Sequence, residues 1–344
     1  MDITIVNSIS NFKKSIDIIK ADITRNTEEI NIISGYLENA EDETKSDTII
    51  KQLYEKDTFT KLENSDMPIF LKYFVDGTVE SYFWGYERKT GFPVVLAQIG
   101  VGILTFHEKK MHYKNTDYIL NYYFKLKFLS KSIKPVNHVS IYKIEKEDID
   151  TYDRNEIAGK IKSEMHNFEL EKILSLVSNQ NMNNHELIIL DGTLQNEKFH
   201  ANFEKLKGIK IIGVSKHFSK KVKIENHSYI SSYLISNNNR FKAGVRTPIF
   251  NLDNKILLWY LRLYDKGLKD PLEGIIKIEI PYNDEIKDFP EVQIISLANS
   301  ISVELLKFRC PNIYPDKRWS VHLYPVYLTE KYIKNKLIPK YYFL

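Results

Sequence analysis

Apolar positions near the start of the chain recur at helical spacing. Ile5, Ile9, Phe12, Ile16 and Ile19 mark one stripe, and Ile30, Ile32, Ile33 and Tyr36 mark another. The acidic run ENAEDETKSDT separates such segments. This pattern predicts a helical region over residues 1–66, suited to dimerisation or partner docking, or equally to covering a main sheet.

From Pro68 the pattern changes to strands. IFLKYFVDG, SYFWGYER and FPVVLAQIGVGILTF predict an antiparallel meander with short connections. Glu156–Ser178 reads as a helix, LIILDG as a buried strand, FHANFEKLKG as a helix closed by Gly208, and IKIIGVSK as another buried strand. ILLWYLRLYDKG and GIIKIEIP alternate like strands, and VQIISLANSISVELLKF reads as a long amphipathic helix. A meander followed by alternating helices and strands predicts an α/β fold, a mixed sheet flanked by helices.

Composition narrows the class without naming it. With 344 residues, 43% apolar and 27% charged, the chain is an ordinary globular protein by its make-up. A net charge of +4 permits a polyanionic partner without demanding one. The single cysteine, Cys310, excludes an internal disulfide and argues against cysteine-based zinc. The most apolar stretch, FPVVLAQIGVGILTF, is shorter than the roughly 20 residues of a membrane helix, so no membrane association is expected. MDITIVNSISNFKKS lacks the basic and apolar regions of a signal peptide, which predicts a cytoplasmic location.

Asp-Gly-Thr occurs twice after an apolar run, in YFVDGT ending at Thr78 and in LIILDGT ending at Thr193. Either pair alone suits a strand-terminating turn. Read together, they predict two strands delivering Asp76 and Asp191 to one place, because ligands collect at the carboxyl ends of strands in open α/β sheets. At about 100° per residue, Glu169 falls within the apolar face formed by Ile161, Met165, Ile173, Leu176 and Val177. A buried glutamate needs a cation or hydrogen bonds, which makes Glu169 the candidate third acid. Carboxylates converging on one point call for a hard divalent ion, magnesium or manganese, and such ions promote in-line phosphodiester hydrolysis.

Basic and aromatic groups suited to a nucleic acid follow. Lys216 ends IIGVSK, with Lys220, Lys221 and Lys223 beyond it. In LLWYLRLY, Tyr260, Arg262 and Tyr264 share a face, and in IIKIEIP Lys277 shares one with Glu279. Each set also reads as a solvated strand face. Together they predict a sheet with one polar, basic side.

The ordered set VDGT, the Glu169 helix, ILDGTL, IGVSK, YLRLYDK, IIKIEIP and YPVYLTEKY resembles the NurA family of DNA-end-processing nucleases. The resemblance implies an RNase H-like fold shared with PIWI domains over residues 67–344, behind the helical region of 1–66. It implies manganese-dependent exonuclease and endonuclease action on DNA, a homodimer, and partnership with the hexameric ATPase and translocase HerA. Asp76 and Asp191 match the family's two Asp-Gly metal ligands, Glu169 its helical glutamate with Glu171 as competitor, and Tyr324 the tyrosine of its YP motif.

One departure stands out. Where the family carries a histidine, this chain has Tyr332, and a phenol replaces imidazole poorly near neutral pH. His322 could stand in if it shares a strand face with Tyr324. The departure motivates a second reading, a non-catalytic subunit that binds DNA or activates the translocase. A PIWI-like module gripping a strand is a third.

Overall fold

The computed structural model describes residues 18–20, 48–55, 58–64, 67–88, 91, 93–123, 142–144, 154–179, 182–183, 185–206, 210–265, 270–311 and 317–339. Its strands form one mixed sheet. Three of them carry the meander: β4 (Phe70–Glu87), β5 (Pro93–His107) and β6 (Lys110–Tyr123), which pair antiparallel in that order. Only Glu108 and Lys109, both with positive φ, separate the paired His107 and Lys110, the geometry of a tight hairpin whose twist matches its strands.

The chain then forms helix α1 (Arg154–Asn179) and returns in β8 (Glu186–Asp191), which pairs parallel to β4. A short helix, α2 (Glu197–His200), leads to β9 (Ile211–Ser215), parallel to β8. The resulting order, β6-β5-β4-β8-β9, is the RNase H-like arrangement: three antiparallel strands, then two parallel to the first. Beyond β9 the sheet continues antiparallel through β14 (Ile275–Pro281) to β13 (Ile256–Arg262) and β12 (Ile249–Leu252).

Each face of the sheet has its own core. Ile161, Phe168 and Ile173 of α1 pack with Val75, Val101, Ile188 and Tyr260 on one face. On the other, α5 (Glu291–Lys307) and α6 (Tyr324–Lys334) bring Ile294, Ile301 and Val326 against Phe74, Leu104, Ile189 and Ile278. No helix among the described residues is long and apolar enough to cross a membrane.

Four expectations change. First, among the described residues of 1–66 the regular elements are strands: β1 (Ile18–Lys20) pairs with β4, β2 (Ile49–Tyr54) with β12, and β3 (Thr60–Lys61) with β11 (Val245–Arg246). Short apolar runs fit either period, and here Ile50 is buried while Ile49 faces out, the alternation of a strand. Ile5 to Ile16 and Ile30 to Tyr36 lie outside the described residues.

Second, β4 runs unbroken through Asp76, Gly77 and Thr78, which pair with Gly102, Val101 and Gly100. Asp76 sits in mid-strand, not at a turn. Third, FHANFEKLKG is helical only as far as His200 and continues in turns, and its Gly208 lies outside the described residues. Fourth, β13 and β14 are buried throughout, so neither presents an exposed basic face.

Candidate active site

The two aspartates meet. In the parallel ladder of β4 and β8, Val75 lies beside Leu190, and Asp76 and Asp191 are the next residues of each strand. They continue the rows of Phe74 and Ile189, so both point to the face covered by α5 and α6. Thr78 confirms that facing: its methyl lies 3.6 Å from the Cβ position of Gly100, where Ile333 of α6 also packs.

Lys216 completes the pair. It follows β9 directly, and its Nζ donates to Asp191 Oδ2 at 2.6 Å. Burial pushes the Asp76 carboxyl well above its ordinary value, and Asp191 pushes it the same way. Lys216 opposes that rise, while Glu330 and Glu169 add to it. Burial draws the Lys216 ammonium down, but Asp191 and Asp76 outweigh it and hold the proton more tightly than usual. One cation thus stands among several acids.

Glu169 takes a different position from the one its role implies. It is 1% exposed on α1, and its Oε2 lies 2.9 Å from His166 Nδ1. A Cβ added to Gly77 would sit 2.4 Å from Glu169 Oε1, so the helix carboxylate occupies the space that a side chain would fill. Gly77 alternates with Asp76, which places Glu169 across β4 from the two aspartates, on the α1 face. Its charge still reaches Asp76, as the weakest of the contributions. The competitor Glu171 faces solvent.

Glu330 is the acid that the sequence analysis missed. Helix α6 lies close on β5 because Gly100 and Gly102 present no side chains: a Cβ there would come within 2.4 and 2.7 Å of Ile333. Gly102 is the cross-strand partner of Asp76, so α6 passes directly beside it. Burial alone would raise the Glu330 carboxyl, but Lys334, bonded at 2.6 Å, together with Lys216 and His322 holds it low. The glycine pair in VLAQIGVG was the available signal.

The YP segment starts a helix. Tyr324 is the first residue of α6 and 39% exposed, and its ring lies 6.4 Å from that of Tyr327. Tyr332 stacks on Tyr113 with ring centroids 3.8 Å apart, so the residue at the family's histidine position packs on β6. His322 precedes the helix and shares no strand with Tyr324, yet it is buried and close enough for its charge to act on Glu330.

Two basic residues are spent on structure. Arg262 is 2% exposed, donates to Asn238 Oδ1 and the Pro271 and Glu273 carbonyls, and lies over the Phe241 ring, so it braces a loop and is not offered to a nucleic-acid strand. Lys277 pairs with Glu279 at 2.7 Å. Glu279, fully buried, accepts from Thr193 Oγ1, Leu194 N and Gln195 Nε2, tying the loop after Asp191 to β14. Lys220, Lys221 and Lys223 are exposed beyond Lys216.

The donor set suits a hard cation in kind. Asp76, Asp191 and Glu330 offer only carboxylate oxygens, and burial first, with the neighbouring acids adding to it, penalises the charge on Asp76, a penalty that a divalent ion would relieve. Among the described residues no three acid, histidine or cysteine side chains are gathered tightly enough to hold a metal as they stand. Lys216 holds Asp191 instead, and a metal at that carboxylate would require the lysine side chain to yield.

The NurA domain model matches residues 41–330. Among solved structures, the NurA nuclease of Sulfolobus solfataricus superposes with a TM-score of 0.41 at 14% identity, covering 97% of this chain and 92% of that one. Argonaute of A. aeolicus superposes with a TM-score of 0.30 at 13% identity, covering 77% of this chain and 28% of that one. No curated protein matches. Both superpositions are loose, so the assignment rests on the domain match. The chain belongs to the NurA family of nucleases.

Proposed function

We propose that this chain is a metal-dependent deoxyribonuclease that hydrolyses phosphodiester bonds as a homodimer. It works at DNA ends with a HerA-type hexameric translocase, in end processing or anti-phage defence. The observation that carries this reading is the pairing of Asp76 and Asp191 on adjacent strands, Asp76 buried and Asp191 bonded to Lys216, with the charge of Glu330 reaching Asp76. Family membership supports the partner and the dimer.

Manganese or magnesium, when bound, would supply Lewis-acid activation of water and of the phosphodiester. Asp76 and Asp191 would hold it, with Glu330 the acid best placed to join them. Lys216, released from Asp191, has its ammonium ready for a phosphate oxygen, since the surrounding acids keep it protonated. Asp76 holds a proton more readily than an ordinary aspartate when no cation is present. The exposed lysines beyond β9 offer counter-charge to the backbone.

The test is cleavage of plasmid and linear DNA by the purified protein, with and without manganese, alone and with the translocase. Absence of metal-dependent cleavage in every arm sinks the proposal. The packing of Tyr332 onto Tyr113 favours one competing reading, a subunit that kept the fold and regulates its partner without cutting. Asp191→Ala separates the two: full biological activity in that variant supports the regulatory subunit.

A further inference from the structure

A cavity of about 190 Å³ opens on the α1 face, at the carboxyl ends of β8 and β9. Lys162 and His166 line it from α1, Thr193 and Gln195 from the loop after Asp191, His217 from beyond β9, and Lys277, its ammonium already held by Glu279, from β14. Its lining contains no acid. Phe218 and Tyr260, edge to face at 4.8 Å, supply an apolar floor. Cationic and hydroxyl groups above an aromatic surface are the chemistry that receives a phosphate together with a sugar or base. The volume lies below the roughly 300–1,000 Å³ of sites for whole small molecules, which fits a single nucleotide unit.

The cavity is joined to the aspartates through the chain itself. Asp191 serves the acids and Thr193 the cavity; Lys216 serves the acids and His217 the cavity. On α1, His166 lines the cavity while its Nδ1 contacts Glu169, the residue that fills the gap at Gly77. Glu279 grips Thr193 and Gln195 from behind and fixes the shared loop. A strand lying across the ends of β8 and β9 therefore meets both places in succession.

The geometry points to this cavity as a subsite for the phosphate-bearing terminal nucleotide of a DNA strand, seated while the acids act further along. It rests on the nuclease reading and adds a recognition element for the strand end. The probe is a short single-stranded oligodeoxynucleotide bearing a fluorophore within the chain, with a phosphate or a hydroxyl at the 5′ end and, separately, at the 3′ end. Binding to the full chain is measured by anisotropy without metal, so that cutting does not intervene.

A phosphate at one end is expected to tighten binding by about tenfold, the gain from one charge-assisted contact. Lys162→Ala is expected to remove that gain and Lys162→Arg to keep it, with both variants melting like the parent. Equal affinity for phosphate and hydroxyl at both ends, or a preference that survives Lys162→Ala, overturns the inference. Asp191→Asn and the parent test the other reading: cleavage by the parent that Asp191→Asn loses, with end preference retained, supports both, and absence of metal-dependent cleavage by the parent defeats the nuclease reading while the anisotropy still reports on the cavity.

Discussion

In the middle of β4, Gly77 keeps a strand backbone in register with Val101 and is needed for room, because Glu169 and Met165 fill its Cβ position. At the end of β8, Gly192 has a φ of 148° and nothing within 4 Å of its Cβ position, so it is needed for conformation. The same Asp-Gly-Thr thus solves two problems. One lets a helix carboxylate press on a strand, and the other turns the chain so that Thr193 and Gln195 leave Asp191 behind. The aspartates differ as well: Asp191 is bonded to Lys216, whereas burial and neighbouring acids work against the charge on Asp76.

The largest effect should come from exchanging each aspartate for its neutral isostere. Asp76→Asn and Asp191→Asn are both expected to cut DNA cleavage by roughly three orders of magnitude or more, the scale of losing one member of a catalytic unit. Their stabilities should move in opposite directions. Asp76→Asn removes a disfavoured charge and should melt higher at neutral pH. Asp191→Asn deprives Lys216 of its partner and should cost about 1–2 kcal/mol, below the roughly 3–5 kcal/mol of a fully buried pair because both side chains keep some solvent.

The pH dependence has a definite sign. Asp76 binds its proton more tightly folded than unfolded, so stability falls as pH rises from the ordinary value of 3.8 towards the raised one, then levels off. Melting curves across that range, compared between the parent and Asp76→Asn, should show the fall in the parent alone. A parallel pair of profiles contradicts the burial of a strained acid at this position.

Next come the glycines. Gly77→Ala overfills the space at Glu169, and Gly192→Ala forces a side chain into an unfavourable φ, each at about 1–3 kcal/mol. A second substitution separates the causes. Glu169→Ala should relieve Gly77→Ala and leave Gly192→Ala unimproved, so urea denaturation of the two double variants reads the coupling directly. Equal relief of both would erase the distinction drawn here.

Much of this was legible in the sequence where a local pattern decides the outcome. The buried runs LIIL and IIGV became β8 and β9, and the helical phase of Glu169 correctly placed it on the apolar stripe. What the phase does not contain is the destination of that stripe, which depends on the gap at Gly77 across the sheet. Arg262 shows the same limit: alternation assigns its face, but the loop carbonyls that consume it come from residues further along the chain. Glu330 becomes part of the site only because two glycines of β5 admit the helix that carries it. The three-residue strand at Ile18–Lys20 is held by pairing with β4, a long-range contact to which an apolar stripe is blind.

The threonines should give the smallest and most selective difference. Thr193 donates to the buried Glu279 at 2.8 Å and accepts from Gln195 N at 3.2 Å, whereas Thr78, among the described residues, has no such side-chain bond and rests its methyl near Gly100. Thr193→Val should therefore cost about 1.5–3 kcal/mol, the range for a hydrogen bond to a charged group, and Thr78→Val less than about 0.5 kcal/mol. The loss has a pH signature. Burial alone would raise the Glu279 carboxyl, but Lys277 and the loop bonds hold it below its ordinary 4.5, so its contribution is present above that value and disappears as pH falls through the lowered one. Weakening one of those bonds should shift the acid limb of Thr193→Val to higher pH and leave that of Thr78→Val in place. Coincident acid limbs in the two variants would mean that Glu279 does not depend on the Thr193 hydroxyl, and that Leu194 N, Gln195 and Lys277 hold it without that bond.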